Sequence, residues 1–526
     1  MADICLIFEV HQPFRLNRRF HLDLIRMGRV TKENLFDLYF DNGMNRDILN
    51  RVADRCYLPA NEIILNEIDR SKRGSRRFKV AYSISGVFLE QCEMWRRDLL
   101  ESFRQIVESG CVEVLDQTYY HSLASLYAPD WSEFIEQVEM HRQTVRSLLG
   151  EEPKTFENTE CIYNNEIAKT VEEIGYEAIV TEGLTQVLGW RSPNYVYRAK
   201  GSSIRVLMRN HRLSDDVGFR FTSTEWDQWP LTADKYARWL ASTPGQVITI
   251  FLDYETFGEH YWRESGILDF LKWLPLEVEK YSNLAWCTPI EAVSRHRPMD
   301  EVDVPPSATI SWADEERDVS AWLGNELQKV SFNVLRDVGS SVKRLGDGTF
   351  LRLCRHLQTS DHLYYMSMKG GGSGVVHNTF NPYGHPVEAF STFISVVSDL
   401  NARCQLELEK PKFRFRRLLR ELPHGRGFGF FYGFARPTGL TAHSLEEFYR
   451  ILKGVDSKSI RFHLRRGDFE RWMSQVVGDE RLAKFFAALP KDVEDIEVLR
   501  TKILRTLEDR IEELKRKDLE VMGEHG

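Results

Sequence analysis

The chain has 526 residues, a formal net charge of −8 and 12% aromatic residues. That length is too great for one ordinary core and predicts roughly two to four structural units, while the modest acidity excludes nucleic acid and anionic membranes as partners of the whole protein. No run approaches the ~18 apolar residues of a membrane span, and eight scattered cysteines without a CxxC pair read as reduced, buried thiols in a cytoplasmic protein.

Ile4 to Val10 reads as a first strand, interrupted by Glu9 and stopped by Pro13, which leaves His11 at its carboxyl end. Asp3 and Glu9 also argue against an export signal. His11 has two readings: a polar ligand for substrate or metal, or a hydrogen-bonded core histidine. A second strand is predicted at Phe78 to Ser83, followed by helical segments that end at Gly110. Val112 to Asp116 then leads into Tyr119-Tyr120-His121. A helix running to Leu149 is capped by Gly150, and a brief strand at Thr155 to Asn158 delivers Glu160 ahead of a helix that Asn164 or Asn165 caps. Further strands are predicted at Glu177 to Thr181, Ile204 to Arg209, Val247 to Leu252 and Ala285 to Cys287. Strands alternating with helices over residues 1–297 predict a parallel β/α barrel or an open α/β sheet.

Residues 247 to 262 carry the densest chemistry. A β-branched, apolar strand turns abruptly into Asp253, Glu255, Glu259 and His260 interleaved with Tyr254, Phe257, Tyr261 and Trp262. Carboxyl ends of strands are where α/β sites are assembled, and aromatic rings beside carboxylates suit a carbohydrate ligand. An isolated acidic turn also reads simply as a polar helix cap.

From Ser311 the alternation stops. Long helices are predicted over Trp312 to Val338, Phe350 to Leu357 and His385 to Leu400, with a glycine-rich loop at Gly370 to Gly374. Trp312, Asp314, Trp322, Asp361 and His362 could reach the site, although core or interdomain packing also accounts for such residues. A basic run from Lys410 through Lys412, Arg416 and Arg420 reads as a solvated linker face, or else as a binder of acidic ligands. Ser444 and Glu447 form a predicted capping box. Ile496, Leu499, Ile503, Leu507, Ile511 and Leu514 recur at helical spacing, a stripe needing a partner in this chain or in a second copy.

Glycoside cleavage requires two carboxyl groups flanking the bond, about 5 to 5.5 Å apart where configuration is retained. Glu160 and Asp253 have the right chemical type, and both are placed at strand ends. Spacing in sequence does not bring them together, and helix caps use the same residues.

The set His11-Gln12-Pro13, Gly110-Cys111-Val112-Glu113 with Tyr120-His121, Asn158-Thr159-Glu160 with Tyr163, Asp253 through His260, and Thr288-Pro289 resembles the five sequence regions of glycoside hydrolase family 57. The similarity is greatest to its intracellular α-amylase branch and extends through Ser311-Trp312-Ala313-Asp314, Trp322-Leu323-Gly324-Asn325 and Ser360-Asp361-His362, to about residue 402. The resemblance implies an incomplete (β/α)7 barrel over 1–297, a helical domain over 298–402 completing the cleft, and an appended α+β domain over 403–526 of unassigned role. It implies a retaining hydrolase of α-1,4-glucans that needs no metal or cofactor. Glu160 would be the nucleophile, Asp253 the general acid and base, and His11, Glu113, His260 and Trp312 would line the donor sugar subsite. Phe156-Glu157-Asn158 lacks the tryptophan of several other specificities in the family, which leaves the specificity open.

Three alternatives stand beside this expectation. A 4-α-glucanotransferase would use the same catalytic pair, and a non-catalytic glucan-binding protein would keep the fold alone. A metal-dependent deacetylase or mannosidase would want an Asp beside His11 and a second His nearby, whereas the neighbours are Val10 and Gln12. The expected partner is an α-glucan or malto-oligosaccharide, with a homo-oligomer through the C-terminal helix left open.

Overall fold

The strands of the first half are, in chain order, β1 (Ala2–Val10), β2 (Val80–Ile84), β3 (Val112–Leu115), β4 (Thr155–Glu157), β5 (Ala178–Glu182), β6 (Val196–Ala199), β7 (Arg205–Arg209), β8 (Val247–Asp253) and β9 (Leu284–Trp286). They come from a computed structural model that describes residues 2–27, 30–74, 76–369, 380–410, 414–423, 425–491 and 495–523. Gly370–Gly374 and Lys412 lie outside the described residues. No helix among the described residues is long and apolar enough to cross a membrane.

β1 is buried along its whole length, as expected for a strand covered on both faces. It pairs in parallel with β8 from Asp3↔Val247 to Glu9↔Asp253 and with β2 from Ile7↔Ala81 to Val10↔Ile84. β2 continues to β3, β4 to β5 and β5 to β7, all parallel. Single parallel contacts at Asp116↔Phe156 and Arg209↔Thr249 join β3 to β4 and β7 to β8. The result is a nearly closed barrel of seven parallel strands, the expected architecture. β9 pairs with Ala2 to Ile4 of β1, and β6 lies antiparallel on β7.

Local signals set the element boundaries. Gly150 closes helix Ser132–Leu149 with φ 75°, a left-handed conformation that glycine adopts at little cost. Asn164 caps helix Asn165–Glu173 by accepting from the Ile167 amide at 3.0 Å. Thr288 and Glu291 form a capping box around Pro289. All eight cysteines are free and buried.

Two local expectations are corrected. The periodic stretch from Trp312 is not one helix: residues 311–319 are irregular, with Asp314 and Arg317 at φ 54° and 52°, and helices follow only at Ser320–Leu323 and Glu326–Leu345. Ser444 caps its helix by accepting from the Glu447 amide, but Glu447 returns its bond to the His443 amide, one residue early for a capping box.

The chain divides into two compact units, Met1–Phe332 with Arg355–Ile394, and Asn333–Cys354 with Ser395–Gly526. The first contains the barrel. In the second, an antiparallel hairpin of Phe428–Gly433 and Arg436–Ala442 packs with helices around a core of Phe428, Phe448, Phe469, Trp472 and Met473. The stripe of the C-terminal helix, from Ile496 to Leu514, is buried in that same core, so its partner lies within its own unit. The basic run also turns inward in part. Arg416 is buried and donates to the Leu345 carbonyl, while Arg420 donates to the Val477 carbonyl at 3.0 Å, so both satisfy carbonyls at the C-terminal ends of helices rather than facing solvent as a linker surface.

Candidate active site

A pocket opens at the carboxyl ends of the parallel strands, lined among others by Glu9, His11, His121, Glu160, Asp253, Glu255, His260, Trp312 and Asp361. In a β/α barrel this end is where loops converge, so residues remote in sequence meet. Five of the six expected site residues line it: His11, Glu160, Asp253, His260 and Trp312. Glu113 does not. It stands near the start of β3, at the opposite end of the strand, and its carboxylate accepts from the Ile290 amide at 2.8 Å in the first turn of helix Pro289–Arg295. Burial pushes Glu113 up to about 7, the behaviour of a carboxyl group taken out of water without a cation.

Glu160 follows β4 on a turn in which Glu160 and Cys161 both have left-handed backbones, at φ 60° and 54°. Such conformations in non-glycine residues cost of order 1–3 kcal/mol each and persist only where surrounding contacts impose them. Here the contacts are visible. The Trp312 indole donates to Glu160 Oε2 at 2.6 Å, and the Trp312 amide donates to the Glu160 carbonyl at 3.2 Å. The Ser360 hydroxyl donates to Oε1 at 3.3 Å, and His121 Nε2 lies 3.5 Å from the same oxygen. Below the turn, Glu157 Oε1 accepts the Cys161 amide at 2.9 Å.

The two histidines of the pocket differ in charge. Their rings stack with centroids 4.0 Å apart. Burial, then the adjacent His121 charge, lowers the His11 pKa to about 4, and its nitrogens engage Ser85 Oγ at 2.7 Å and Asp361 Oδ2 at 3.0 Å. Burial acts in the same direction on His121. There the hydrogen bond to Glu160 and the charges of Glu9, Glu160 and Asp361 outweigh it and raise the value to about 9. At neutral pH the pair therefore carries one positive charge, held by His121 against Glu160.

Asp253 ends β8 directly beside Glu9 in the ladder. Two residues on, Glu255 is buried and receives the Tyr57 hydroxyl and the Gln12 amide, the latter at 3.4 Å. Burial first, and the Asp253 charge second, raise Glu255 to about 8. Glu9, which lines the pocket, is held well above the usual carboxylate range by burial and by Glu157, and burial pushes Glu157 up to about 8. Gln117 Nε2 bridges this layer, donating to Glu9 Oε1 at 3.0 Å and to Ser83 Oγ at 2.8 Å. Trp312 is supported from behind by Phe251, with ring centroids 4.9 Å apart, and by the Arg209 guanidinium 5.6 Å from its ring.

Of the other aromatic and polar positions singled out after residue 311, Asp361 reaches the pocket, Trp322 is fully buried core, and Asp314 accepts from the Tyr364 hydroxyl at 3.1 Å. Glu9, Gln12, Arg15 and Phe380 line the pocket without having been expected there. Glu9 left a signal, an acid inside an otherwise apolar strand that is covered on both faces. Arg15 left none: its guanidinium is buried, donating to the Phe380 carbonyl at 3.0 Å and to Gln12 Oε1 at 3.1 Å.

Comparison with known proteins agrees with this architecture. Residues 5–305 match the profile of glycosyl hydrolase family 57, and residues 431–524 match a family of unknown function, DUF5752. The chain is 46% identical over 414 residues to a Methanocaldococcus jannaschii protein named "Putative alpha-amylase", covering 77% of this chain and 85% of that one. A branching enzyme of the family 57 type from Pyrococcus horikoshii has a similar fold, with TM-score 0.52 at 14% identity, covering 80% of this chain and 90% of that one. A 4-alpha-glucanotransferase from Thermococcus litoralis gives TM-score 0.51 at 18% identity and covers 69% of this chain, which spans only 56% of that longer protein.

Proposed function

The chain belongs to glycosyl hydrolase family 57, and from that premise we propose that this glycoside hydrolase cleaves α-1,4-linked glucans with retention of configuration. Glu160 is the nucleophile and Asp253 the general acid and base. The Glu160 carboxylate forms a bond to the anomeric carbon as the glycosidic C–O bond breaks, and Asp253 gives its proton to the departing oxygen. Asp253 then takes a proton from an incoming water, whose oxygen displaces Glu160 and regenerates both groups.

The observation that carries this reading is that Glu160 and Asp253 line one pocket, with the Glu160 carboxylate already oriented by Trp312 and Ser360. A nucleophile must be ionised, and the cationic His121 beside it favours that form. The name of the Methanocaldococcus jannaschii relative supports an α-glucan as substrate. His11, His260 and Trp312 supply polar groups and an aromatic face toward a bound sugar.

Incubation with maltoheptaose, with products separated by size over time, tests the reading. Shorter oligosaccharides are expected. Products longer than the substrate would mean that a sugar hydroxyl, not water, resolves the intermediate, as in a 4-α-glucanotransferase. An unchanged substrate would contradict catalysis on malto-oligosaccharides and favour a glucan-binding protein.

A further inference from the structure

We propose that Glu157 is a positioning residue for Glu160: by accepting the Cys161 amide, its carboxyl group holds the strained turn that presents Glu160 to the pocket. The inference rests on the reading of Glu160 as nucleophile and adds a group that does not touch substrate.

Glu157 ends β4, is fully buried and does not line the pocket. A buried acid with no cation beside it costs several kcal/mol unless it is neutral or hydrogen-bonded. Glu157 Oε1 takes the Cys161 amide at 2.9 Å, and Oε2 takes the Ser83 hydroxyl at 3.1 Å. Glu9 is its electrostatic neighbour, and Glu9 Oε2 is buried without a hydrogen-bond partner. Burial holds both carboxyl groups well above the usual range, so their neutral forms are favoured. Glu9 faces His121, whose Nδ1 lies 3.5 Å from Glu9 Oε1 and whose Nε2 lies 3.5 Å from Glu160 Oε1. Glu157 fixes Cys161, the residue after the nucleophile and the second left-handed one.

The groups facing Glu157 are Glu9 from β1, Ser83 from β2, and Glu160 and Cys161 from its own loop; Gln117 and His121, after β3, act on Glu9 and Ser83, and Glu182 and Arg209 act on Cys161. Burial holds Glu157 near 8, so alkaline pH places a buried negative charge beside Glu160 and weakens the arrangement.

The test is steady-state kinetics on maltoheptaose for wild type, Glu157→Ala and Glu157→Gln, with melting curves to confirm folding. Glu157→Ala leaves the Cys161 amide unpaired, and kcat is expected to fall roughly tenfold to a hundredfold with KM nearly constant. Glu157→Gln keeps the acceptor and offers its amide to Glu9, and it is expected to restore most of the lost rate. Its decline in kcat as pH rises through about 8 is also expected to be shallower than that of wild type. His121 and Glu255 titrate in both proteins, so the difference between the two profiles reports Glu157. A folded Glu157→Ala with kcat within about threefold of wild type would overturn the proposal. If Glu157→Ala does not fold, superimposable pH profiles for wild type and Glu157→Gln would overturn it. Wild type inactive on maltoheptaose would remove the reading of Glu160 along with it, whereas an active wild type with an unaffected variant would remove this inference alone.

Discussion

Trp312 holds both ends of Glu160: its indole N–H donates to the carboxylate at 2.6 Å, and its backbone N–H donates to the Glu160 carbonyl at 3.2 Å. Trp312→Phe keeps a ring against Phe251 but removes the indole donor. A hydrogen bond to a charged group contributes about 1.5–3 kcal/mol, so kcat on maltoheptaose is expected to fall at least tenfold with little change in melting temperature. Equal rates for variant and wild type would show that the indole serves packing alone.

The irregular segment that carries Trp312 is tied down by a ring of charges. Arg209 bonds Glu182 at 3.0 Å and Asp215 at 2.6 Å, and Arg317 reaches the same two acids from the other side. Arg317→Met leaves two buried acids with one arginine. Breaking a fully buried pair costs about 3–5 kcal/mol. Arg317 is 17% exposed and Arg209 remains, so a loss of roughly 1–3 kcal/mol in denaturant unfolding is expected, together with a lower kcat as Trp312 loosens. Stability within about 0.5 kcal/mol of wild type would mean that the ring does not anchor the segment.

Glu113 predicts a pH effect on stability rather than on chemistry. Its folded value of about 7 lies above the ordinary 4.5. Between these values the unfolded chain has lost the proton that the folded chain keeps, so stability falls as pH rises from about 4.5 through 7. Glu113→Gln keeps the acceptor for the Ile290 amide and removes the titration. Its melting temperature is expected to fall less than that of wild type between pH 5 and pH 7.5, with activity on maltoheptaose retained. Parallel melting profiles, or a large loss of kcat, would return Glu113 to the site.

The C-terminal helix gives a prediction about assembly. Ile503 is fully buried in the core of its own unit, so Ile503→Ala is expected to cost about 2–5 kcal/mol, independent of protein concentration. A loss that vanishes at high concentration would show that the stripe meets a second copy instead.

What was legible in the sequence follows from what is local. Apolar, β-branched runs bounded by glycine and proline marked the barrel strands, because a parallel strand covered on both faces has few other compositions. His11, Glu160 and Asp253 could be assigned to strand ends for the same reason. Trp312 was harder: its neighbourhood has helical spacing, yet Asp314 and Arg317 take left-handed conformations, and Arg317 is held by partners more than a hundred residues away. The layer of Glu9, Ser83, Gln117 and Glu157 was not legible as a layer. Glu9 alone stands out in its segment, and only barrel closure stacks four successive strand ends. Glu113 shows the reverse case, where a resemblance by position placed at the sugar a side chain that the register of β3 puts at the other end of its strand.

The most direct test of the central claim is to trap the glycosyl-enzyme. A fluorinated α-glucosyl or α-maltosyl fluoride, which forms the intermediate but slows its hydrolysis, is incubated with the protein, and the adduct is located by peptide mass spectrometry. The account predicts one glycosyl group on the peptide containing Glu160, absent from Glu160→Gln and accumulating longer in Asp253→Asn. A glycosyl group on any other carboxylate, or turnover of malto-oligosaccharides with inversion and no adduct, would contradict it.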